Sequence, residues 1–249
     1  MILAVDVGNS NTTVGLFNGT GELLFRALLE TSRSKTRDQC AIELLGVFQL
    51  YGADACTVDG AILSSVVPPL TAIFTDAIAR LTGIPPMVVG PGIRTGLNIK
   101  AEIHNQLGSD IVASSVAAIA KYPSPIVMVD MGTATSLSLI VGSVYEGCII
   151  MPGLALALDA LSERAAALPP ISIETASPVG LMGHTTEEAM RSGVLYGHAS
   201  MVDGMLERIE ESIGQSVTTV ATGGNAPRIL RYCKRPIQYD ADLIMTGLY

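Results

Sequence analysis

The feature that most constrains the fold of this chain is a short pattern that occurs twice. The segments VDVGNSNTTVGLF, residues 5–17, and VDMGTATSLSLIVG, residues 129–142, each place Asp-x-Gly between one apolar run and another. Two apolar runs joined by a glycine turn predict a β-hairpin. Because each half of the chain begins with such a hairpin, we predict an internal duplication, with two similar α/β subdomains facing each other across a cleft.

The segments between and after these hairpins alternate between strand and helix patterns. The segment RDQCAIELLGVFQLYG has the spacing of a helix with one buried face, formed by Ala41, Leu44, Leu45 and Phe48. An Ala-rich helical segment begins near Gly108, and the strand pattern restarts after Pro123. No long Gly/Ser or Pro linker separates the halves, so we expect them to pack as one unit. We place the boundary between them near residues 122–124.

Composition disfavours several classes of partner. The chain has 23 acidic and 15 basic residues, a formal charge of −8, and no block of Lys or Arg, which disfavours a nucleic-acid or anionic membrane surface. The N-terminal apolar run is too short for a signal peptide or a membrane span, so we expect a cytoplasmic protein with no membrane partner. The cysteines form no CxxC pair, which argues against a zinc site or a disulfide framework: Cys40, Cys56, Cys148 and Cys233.

The two repeated turns have the chemistry of a phosphate site. A carboxylate at the end of a buried strand, followed by glycine and small hydroxyl residues, offers backbone N–H groups to a phosphate and an acid to a cation beside it. A single Asp-x-Gly is more often only a tight turn, but two copies in the same context favour phosphate binding. Neither GxxxxGK[ST] nor GxGxxG occurs in the sequence. We therefore predict that the two hairpins bind the β- and γ-phosphates of one nucleotide.

A third segment, VATGGNAPRI, residues 220–229, predicts a strand that ends in Gly223-Gly224 and leads into a helix. Paired glycines allow a flat ligand, such as adenine with its ribose, to approach the start of the helix closely. This connection is common by itself, and its position after two phosphate hairpins favours an adenosine site.

The two phosphate hairpins and the adenosine glycines, in this order, resemble the superfamily of acetate and sugar kinases, heat-shock chaperone ATPases and actin. Within that superfamily the sequence resembles type III pantothenate kinase over nearly the whole chain. The matching segments are DVGNSNTTVGLF, SKTRDQ, ILSSVVPPLT, GLNI, GSD, DMGTATSLSLI, EGCIIMPGLALALDAL, GHTTEEAMRSGVLYG, MVDGMLERI and VATGGNA.

The resemblance implies a duplicated actin-like, ribonuclease H-like α/β fold. The implied subdomains are residues 1–122 and 123–249, each with a mixed five-stranded sheet flanked by helices. The implied activity is ATP-dependent phosphorylation of pantothenate to 4′-phosphopantothenate, the first step of coenzyme A synthesis. A homodimer is also implied, with the helix GVLYGHASMVDGML as a contact face.

The resemblance also assigns roles to individual residues. Asp110 is the implied general base, Asp6 lies near the Mg²⁺-bound phosphates, and Asp130 binds a monovalent cation, K⁺ or NH₄⁺. The implied ATP-binding residues are Asp6, Val7, Gly8, Asn9, Ser10, Asn11, Thr12, Thr13, Thr133, Gly223 and Gly224. The implied pantothenate-binding residues are Gly108, Ser109, Asp110, Ile111 and Thr186.

The sequence departs from the family at the substrate end. Ile111 replaces the arginine of the family pattern Gly-x-Asp-Arg, and Ala101 replaces a substrate-contacting tyrosine. Such an arginine would bind the pantothenate carboxylate through a fork of donors. Its loss from a partly desolvated site typically costs about 1.5–3 kcal/mol, or one to two decades in affinity.

Three interpretations of this departure stay open. Another cation binds the carboxylate, with Arg94, Lys100 and His104 as candidates. Alternatively, the acceptor is a small alcohol without a carboxylate, or the protein is a non-catalytic regulator that binds nucleotide. The retained aspartates and both hairpins favour catalysis. The remaining histidines, His184 and His198, are expected in core or surface positions, and one of Thr185 and Thr186 is expected to cap a helix.

Overall fold

The chain folds around two mixed β-sheets, one of five strands and one of six. The structure is a computed structural model that describes residues 1–90, 93–100, 107–173 and 179–249. The first unit comprises Met1–Ala120 together with Asp242–Tyr249, and the second comprises Lys121–Ala241.

The strands and helices follow the alternation that the sequence predicts. The strands are β1 (Ile2–Val7), β2 (Asn11–Phe17), β3 (Leu23–Glu30), β4 (Gly60–Ser65), β5 (Met87–Val88), β6 (Asn98–Ile99), β7 (Ile126–Met131), β8 (Ala134–Val141), β9 (Val144–Pro152), β10 (Thr218–Thr222) and β11 (Gln238–Tyr239). The helices are α1 (Arg37–Leu50), α2 (Pro68–Thr82), α3 (Ser109–Lys121), α4 (Leu154–Arg164), α5 (Thr186–Ile213), α6 (Ala226–Leu230) and α7 (Leu243–Leu248), with a 3₁₀ turn at Ala55–Thr57.

The strand order and register reveal the duplication directly. The first sheet has five strands in the order β3-β2-β1-β4-β5. The second sheet contains the corresponding order β9-β8-β7-β10-β11 but has six strands, one more than the predicted five. In the first sheet, Asp6 lies opposite Thr13 of the antiparallel neighbour and opposite Ser64 of the parallel neighbour. In the second sheet, Asp130 lies opposite Ser136 and Thr222 in the same two senses. The predicted duplicated α/β fold is therefore confirmed.

Helix α1 buries a slightly different face from the predicted one. Leu44 and Phe48 are buried as expected, but their companions are Cys40 and Val47, whereas Leu45 is 43% exposed. Around the helix, apolar residues lie on both sides of Leu44 and Phe48. The helical spacing alone is therefore compatible with burial of either side. Packing against the rest of the first core selects the face that carries Cys40.

The end of the described chain returns to the first unit. Met245 and Leu248 of α7 are buried in a cluster with Ala4, Phe17 and Ala113. A Cβ at Gly247 would overlap the backbone of Ala113, so α3 and α7 pack at backbone distance. The predicted division assigned residues 242–249 to the second subdomain, with residues 123–241, whereas the structure places them in the first unit.

The described helices and the four cysteines were predicted to form neither a membrane span nor a disulfide framework. Within the described ranges, no helix combines the length and the apolar content that crossing a bilayer requires. All four cysteines are free thiols, two of them exposed.

Candidate functional site

The turn between β1 and β2 exposes a row of small polar side chains. The N–H of Gly8 donates to the carbonyl of Asn11 at 3.0 Å, and a Cβ at position 8 would lie only 2.9 Å from that oxygen. Glycine therefore permits the tight turn. The side chains of Asn9, Ser10 and Asn11 are exposed at its tip, where they and the backbone can donate to an anion.

Two residues of the predicted first phosphate loop point into the protein. Val7 is fully buried, and Thr12 is 1% exposed with its hydroxyl 2.8 Å from the hydroxyl of Thr31. These two residues can contact a ligand only through their backbones. The N–H of Thr31 also donates to the carbonyl of Ser10 at 3.0 Å, so the segment after β3 braces the turn.

Asp6 lies at the end of β1 and is 8% exposed. The hydroxyl of Ser64, at the end of β4, donates to Asp6 Oδ1 at 2.7 Å. Sequence analysis did not select Ser64. Its signal is the polar pair that ends the apolar run ILSS, because neighbouring parallel strands bring their carboxyl ends to the same edge of a sheet.

The turn between β7 and β8 repeats this construction with one residue fewer. The N–H of Gly132 donates to the carbonyl of Ala134 at 3.0 Å, and Thr133 is exposed at the tip. Asp130 is partly exposed at the position of β7 that corresponds to Asp6 of β1.

The Gly223-Gly224 segment packs directly on this second turn. The backbone N–H of Asn225 donates to the carbonyl of Met131 at 3.0 Å, and its side-chain amide donates to the carbonyl of Gly132 at 3.1 Å. Gly224 is exposed. The structure thus brings together the second turn and the predicted adenosine glycines. Asn225 was missed by sequence analysis, and its only signal is a polar residue directly after the glycine pair.

Asp110 occupies the first turn of α3 and is largely enclosed. A Cβ at Gly108 would overlap the Asp110 carboxylate, so a glycine two residues earlier gives that group its space. Burial raises the pKa of the Asp110 carboxyl above its usual value, and hydrogen bonds from the N–H groups of Ile111 and of Asp110 itself partly offset this rise. The Ile111 N–H lies 2.8 Å from Asp110 Oδ1.

The neighbouring Ser109 is hydrogen-bonded within the protein. Its hydroxyl oxygen accepts from the N–H of Ser65 at 3.0 Å and lies 2.9 Å from the hydroxyl of Ser64. Through Ser64, the start of α3 is therefore connected to Asp6 at the end of β1. Asp110 is attached to this hydrogen-bonded group through the backbone, as the residue that follows Ser109.

The substrate end is described in part. Ile111 is partly exposed, whereas the predicted Ala101 and the candidate His104 lie outside the described residues. Arg94 and Lys100 are exposed. Arg94 borders a cavity of about 160 Å³ beside Val112 and Val116, which helical periodicity places on a face of α3 other than that of Ile111.

The hydrogen bonds at the start of α5 show which of Thr185 and Thr186 caps the helix. Thr185 accepts the N–H of Glu188 at 3.2 Å, and the Glu188 carboxylate accepts the N–H of His184 at 2.8 Å. Thr186, the first residue of the helix, is exposed. Thr185 therefore caps the helix, and the side chain of Thr186 is accessible to a ligand.

The buried side chain of His198, in α5, contacts the backbone of β9. Its Nε2 lies 2.9 Å from the carbonyl of Pro152, at the end of β9. Burial lowers the pKa of His198 below its usual value, and hydrogen bonding to the backbone carbonyls of Pro152 and Val194 opposes that shift.

Two mixed sheets of matching strand order, each carrying an aspartate turn, define an actin-like fold of the kind found in ATP-dependent kinases and ATPases. Solved structures with this fold resemble the whole chain. Component A of (R)-2-hydroxyglutaryl-CoA dehydratase from Acidaminococcus fermentans has a TM-score of 0.60 at 12% identity, covering 99% of this chain and 94% of its own. The activator of 2-hydroxyisocaproyl-CoA dehydratase from Clostridium difficile, with bound ADPNP, has a TM-score of 0.56 at 10% identity, covering 99% and 91%.

Sequence comparison identifies the family. Residues 2–208 match the family model of type III pantothenate kinase. Type III pantothenate kinase of an Exiguobacterium species is 39% identical over 249 residues, covering 100% of this chain and 96% of that protein. The corresponding protein of Shouchella clausii is 38% identical over 250 residues, covering 100% and 97%. The chain belongs to the type III pantothenate kinase family.

Proposed function

We propose that this protein transfers the γ-phosphoryl group of ATP to pantothenate, forming 4′-phosphopantothenate. The observation that carries this proposal is the enclosed carboxylate of Asp110 at the start of α3, which accepts the N–H of Ile111 and occupies the space that Gly108 leaves. Family membership supports the same activity.

Asp110 is assigned as the general base. Phosphoryl transfer needs little covalent chemistry from the protein beyond positioning and charge neutralisation, with an acid residue to accept the proton of the attacking hydroxyl. A carboxylate with a raised pKa is a stronger base than an ordinary aspartate, because the environment that raises its pKa favours proton uptake.

ATP is assigned to the two turns and the glycine pair. The first turn offers the exposed side chains of Asn9, Ser10 and Asn11, with Thr13 on the strand that follows. The second turn offers Thr133 at its tip. Gly223 and Gly224 are assigned to the adenosine.

Two cations complete the proposed site. Asp6 would hold Mg²⁺ and Asp130 would hold a monovalent cation, K⁺ or NH₄⁺. Within the described ranges, no group of three or more His, Cys, Asp or Glu residues could form a metal cage. Single carboxylates fit Mg²⁺ bound to a nucleotide, because this ion typically takes one or two protein carboxylates and completes its shell with phosphate and water. When bound, the cations neutralise charge on the phosphates.

The acceptor is assigned to Gly108–Ile111 and to Thr186, with Ser109 offering its backbone because its hydroxyl is bonded within the protein. Ile111 cannot form the ion pair that the family arginine would make, so another cation has to bind the pantothenate carboxylate. Lys100 is the candidate nearest to Asp110 in the described sequence, and Arg94 is the second. The carboxylate-free alcohols are the alternative acceptors, and the observation that favours them is Ile111 itself. A non-catalytic nucleotide-binding regulator is the third possibility.

A homodimer in the cytoplasm is proposed with this activity. The outer face of α5 supports a dimer contact, because in the part of the chain that the structure describes, nothing beyond the helix's own backbone lies within 4 Å of the Cβ positions of Gly193, Gly197 and Gly204. Small residues let a partner helix approach closely. The net charge of −8 supports the absence of a nucleic-acid partner. Sedimentation that gives a monomer at micromolar concentration would contradict the dimer.

The decisive experiment measures ADP release by the purified protein with ATP, Mg²⁺ and K⁺. Pantothenate, pantothenol and pantetheine are compared with no acceptor, and Asp110→Asn is the matched control. Pantothenate-dependent release that disappears in Asp110→Asn supports the proposal. Release with only the carboxylate-free alcohols supports the altered substrate, and ATP binding without release supports a regulator.

A further inference from the structure

Three hydroxyl and carboxylate groups form a chain between the end of β1 and the start of α3. Ser64 Oγ lies 2.7 Å from Asp6 Oδ1, and Ser109 Oγ lies 2.9 Å from Ser64 Oγ. At the far end, the Ser65 N–H lies 3.0 Å from Ser109 Oγ. Ser64 is fully buried with its bond to Asp6, and the two contacts of Ser109 are partly buried.

The direction of every bond in this chain is determined by donor count. An ionised carboxylate only accepts, so Ser64 must use its single hydroxyl hydrogen on Asp6. Ser109 must then donate its hydrogen to Ser64, and its own oxygen accepts the N–H of Ser65. The bonds run in one direction toward Asp6, and bonds aligned in this way polarise and strengthen one another.

We propose that Ser64 and Ser109 form a hydroxyl relay that positions Asp110 relative to Asp6. Ser109 immediately precedes Asp110, so fixing its hydroxyl fixes the first turn of α3 against the ends of β1 and β4. The relay thereby sets the separation between the carboxylate assigned to the phosphate end and the carboxylate assigned to the acceptor hydroxyl. Ser109 is a positioning residue under this proposal, because its donor and acceptor bonds are made within the protein.

This inference rests on the proposed function, since the relay is valuable only if both carboxylates act on the same transfer. A displacement of about 1 Å in a reacting group can cost a hundredfold in rate. Removing either hydroxyl should therefore lower kcat while leaving the KM values for ATP and acceptor within about twofold.

The kinetic test compares Ser64→Ala, Ser109→Ala and the double variant with Ser109→Thr, which retains the hydroxyl. Each alanine variant is expected to lose tenfold to a hundredfold in kcat. The double variant is expected to be no slower than the worse single variant, because one break interrupts the whole relay. Ser109→Thr is expected to recover most of the loss. Full kcat in Ser109→Ala would overturn the proposal.

Ser115→Ala is the matched control on the same helix. Its hydroxyl is fully buried and has no hydrogen-bond partner among the described residues, so its removal deletes one buried hydroxyl without touching the relay. Unchanged kcat in this variant supports a specific role for the relay. A loss equal to that of Ser109→Ala would mean that any change in α3 impairs the enzyme, and it would overturn the proposal.

Unfolding by urea separates failure of the relay from failure of the proposed function. The shift in midpoint for the double variant should be smaller than the sum of the two single shifts, since the two hydroxyls share one bond. If the wild-type protein releases no ADP with any acceptor, the proposed function fails and this cycle decides the relay alone. Additive shifts would then overturn it.

Discussion

A Cβ at Gly223 would lie 2.6 Å from Oδ1 of Asp130, so the residue assigned to adenosine and the residue assigned to the monovalent cation are in direct contact. Gly223 also has a φ of +91°, which strains any residue with a side chain. Gly223→Ala should lower the free energy of unfolding by about 1–3 kcal/mol and raise the KM for ATP at least tenfold. Gly224→Ala is the control for unfolding, because no described residue other than its chain neighbours has an atom within 4 Å of its Cβ position.

Asp110→Asn should reduce kcat by about 10²–10⁴-fold, the usual contribution of a general base. It should also stabilise the protein at neutral pH. Because the pKa of Asp110 is raised above the usual 3.8, the folded state binds its proton more tightly, and wild-type stability falls as pH rises through the folded pKa. Urea unfolding of both proteins between pH 4 and pH 8 measures this. A constant stability difference across that range would contradict the prediction.

Ile111→Arg should lower the KM for pantothenate by about tenfold to a hundredfold, because a guanidinium binds a carboxylate through two parallel bonds. The KM for pantothenol, which has no carboxylate, should change little. Ile111→Met is the uncharged control of similar volume. An unchanged KM for pantothenate in Ile111→Arg would indicate that a cation already occupies this role, and Lys100→Ala and Arg94→Ala would then identify it.

Alanine substitutions at Thr185 and Thr186 should affect different properties, the first stability and the second substrate binding. Thr185→Ala removes the cap of α5 and should cost about 0.5–2 kcal/mol of unfolding free energy. Thr186→Ala should change stability by less than about 0.5 kcal/mol and raise the KM for pantothenate. Thermal or urea unfolding combined with the ADP assay measures both quantities. The reverse pattern would exchange the two roles.

His198 should make the protein less stable as the pH falls below neutrality. Its pKa is lowered from the usual 6.5 by burial, so the unfolded chain takes up the proton first. The stabilising contribution is present above pH 6.5 and is lost as the pH falls through the folded pKa. His198→Gln should lose this dependence while keeping an amide donor for the Pro152 carbonyl. Equal slopes of stability against pH in both proteins would contradict the assignment.

The local features of the site could be predicted from the sequence. Asp6 and Asp130 stand at the ends of apolar runs and precede glycines, and this pattern needs no distant information. The hydrogen bond between Ser64 and Asp6 joins residues 58 positions apart, and it depends on the parallel pairing of β1 with β4. Its partners become visible only when the sheet is formed.

Other features were hidden because more than one arrangement satisfies the same pattern. Ser109 resembles a substrate residue by its place in Gly-Ser-Asp, yet its hydroxyl bonds to β4. The six residues of α7 are too few to show a helical period, and only packing against Phe17 and Ala113 assigns them to the first unit.

Because α7 packs in the first unit, the two units are not completed in the order in which the ribosome begins them. Met245 and Leu248 fill the cluster around Ala4 and Phe17, so a ribosome that has made the first 120 residues has not yet supplied the whole first unit. The second unit, Lys121–Ala241, is fully supplied before the first. During translation, part of the apolar surface of the first unit therefore stays uncovered until α7, which follows the second unit in the chain, has been made.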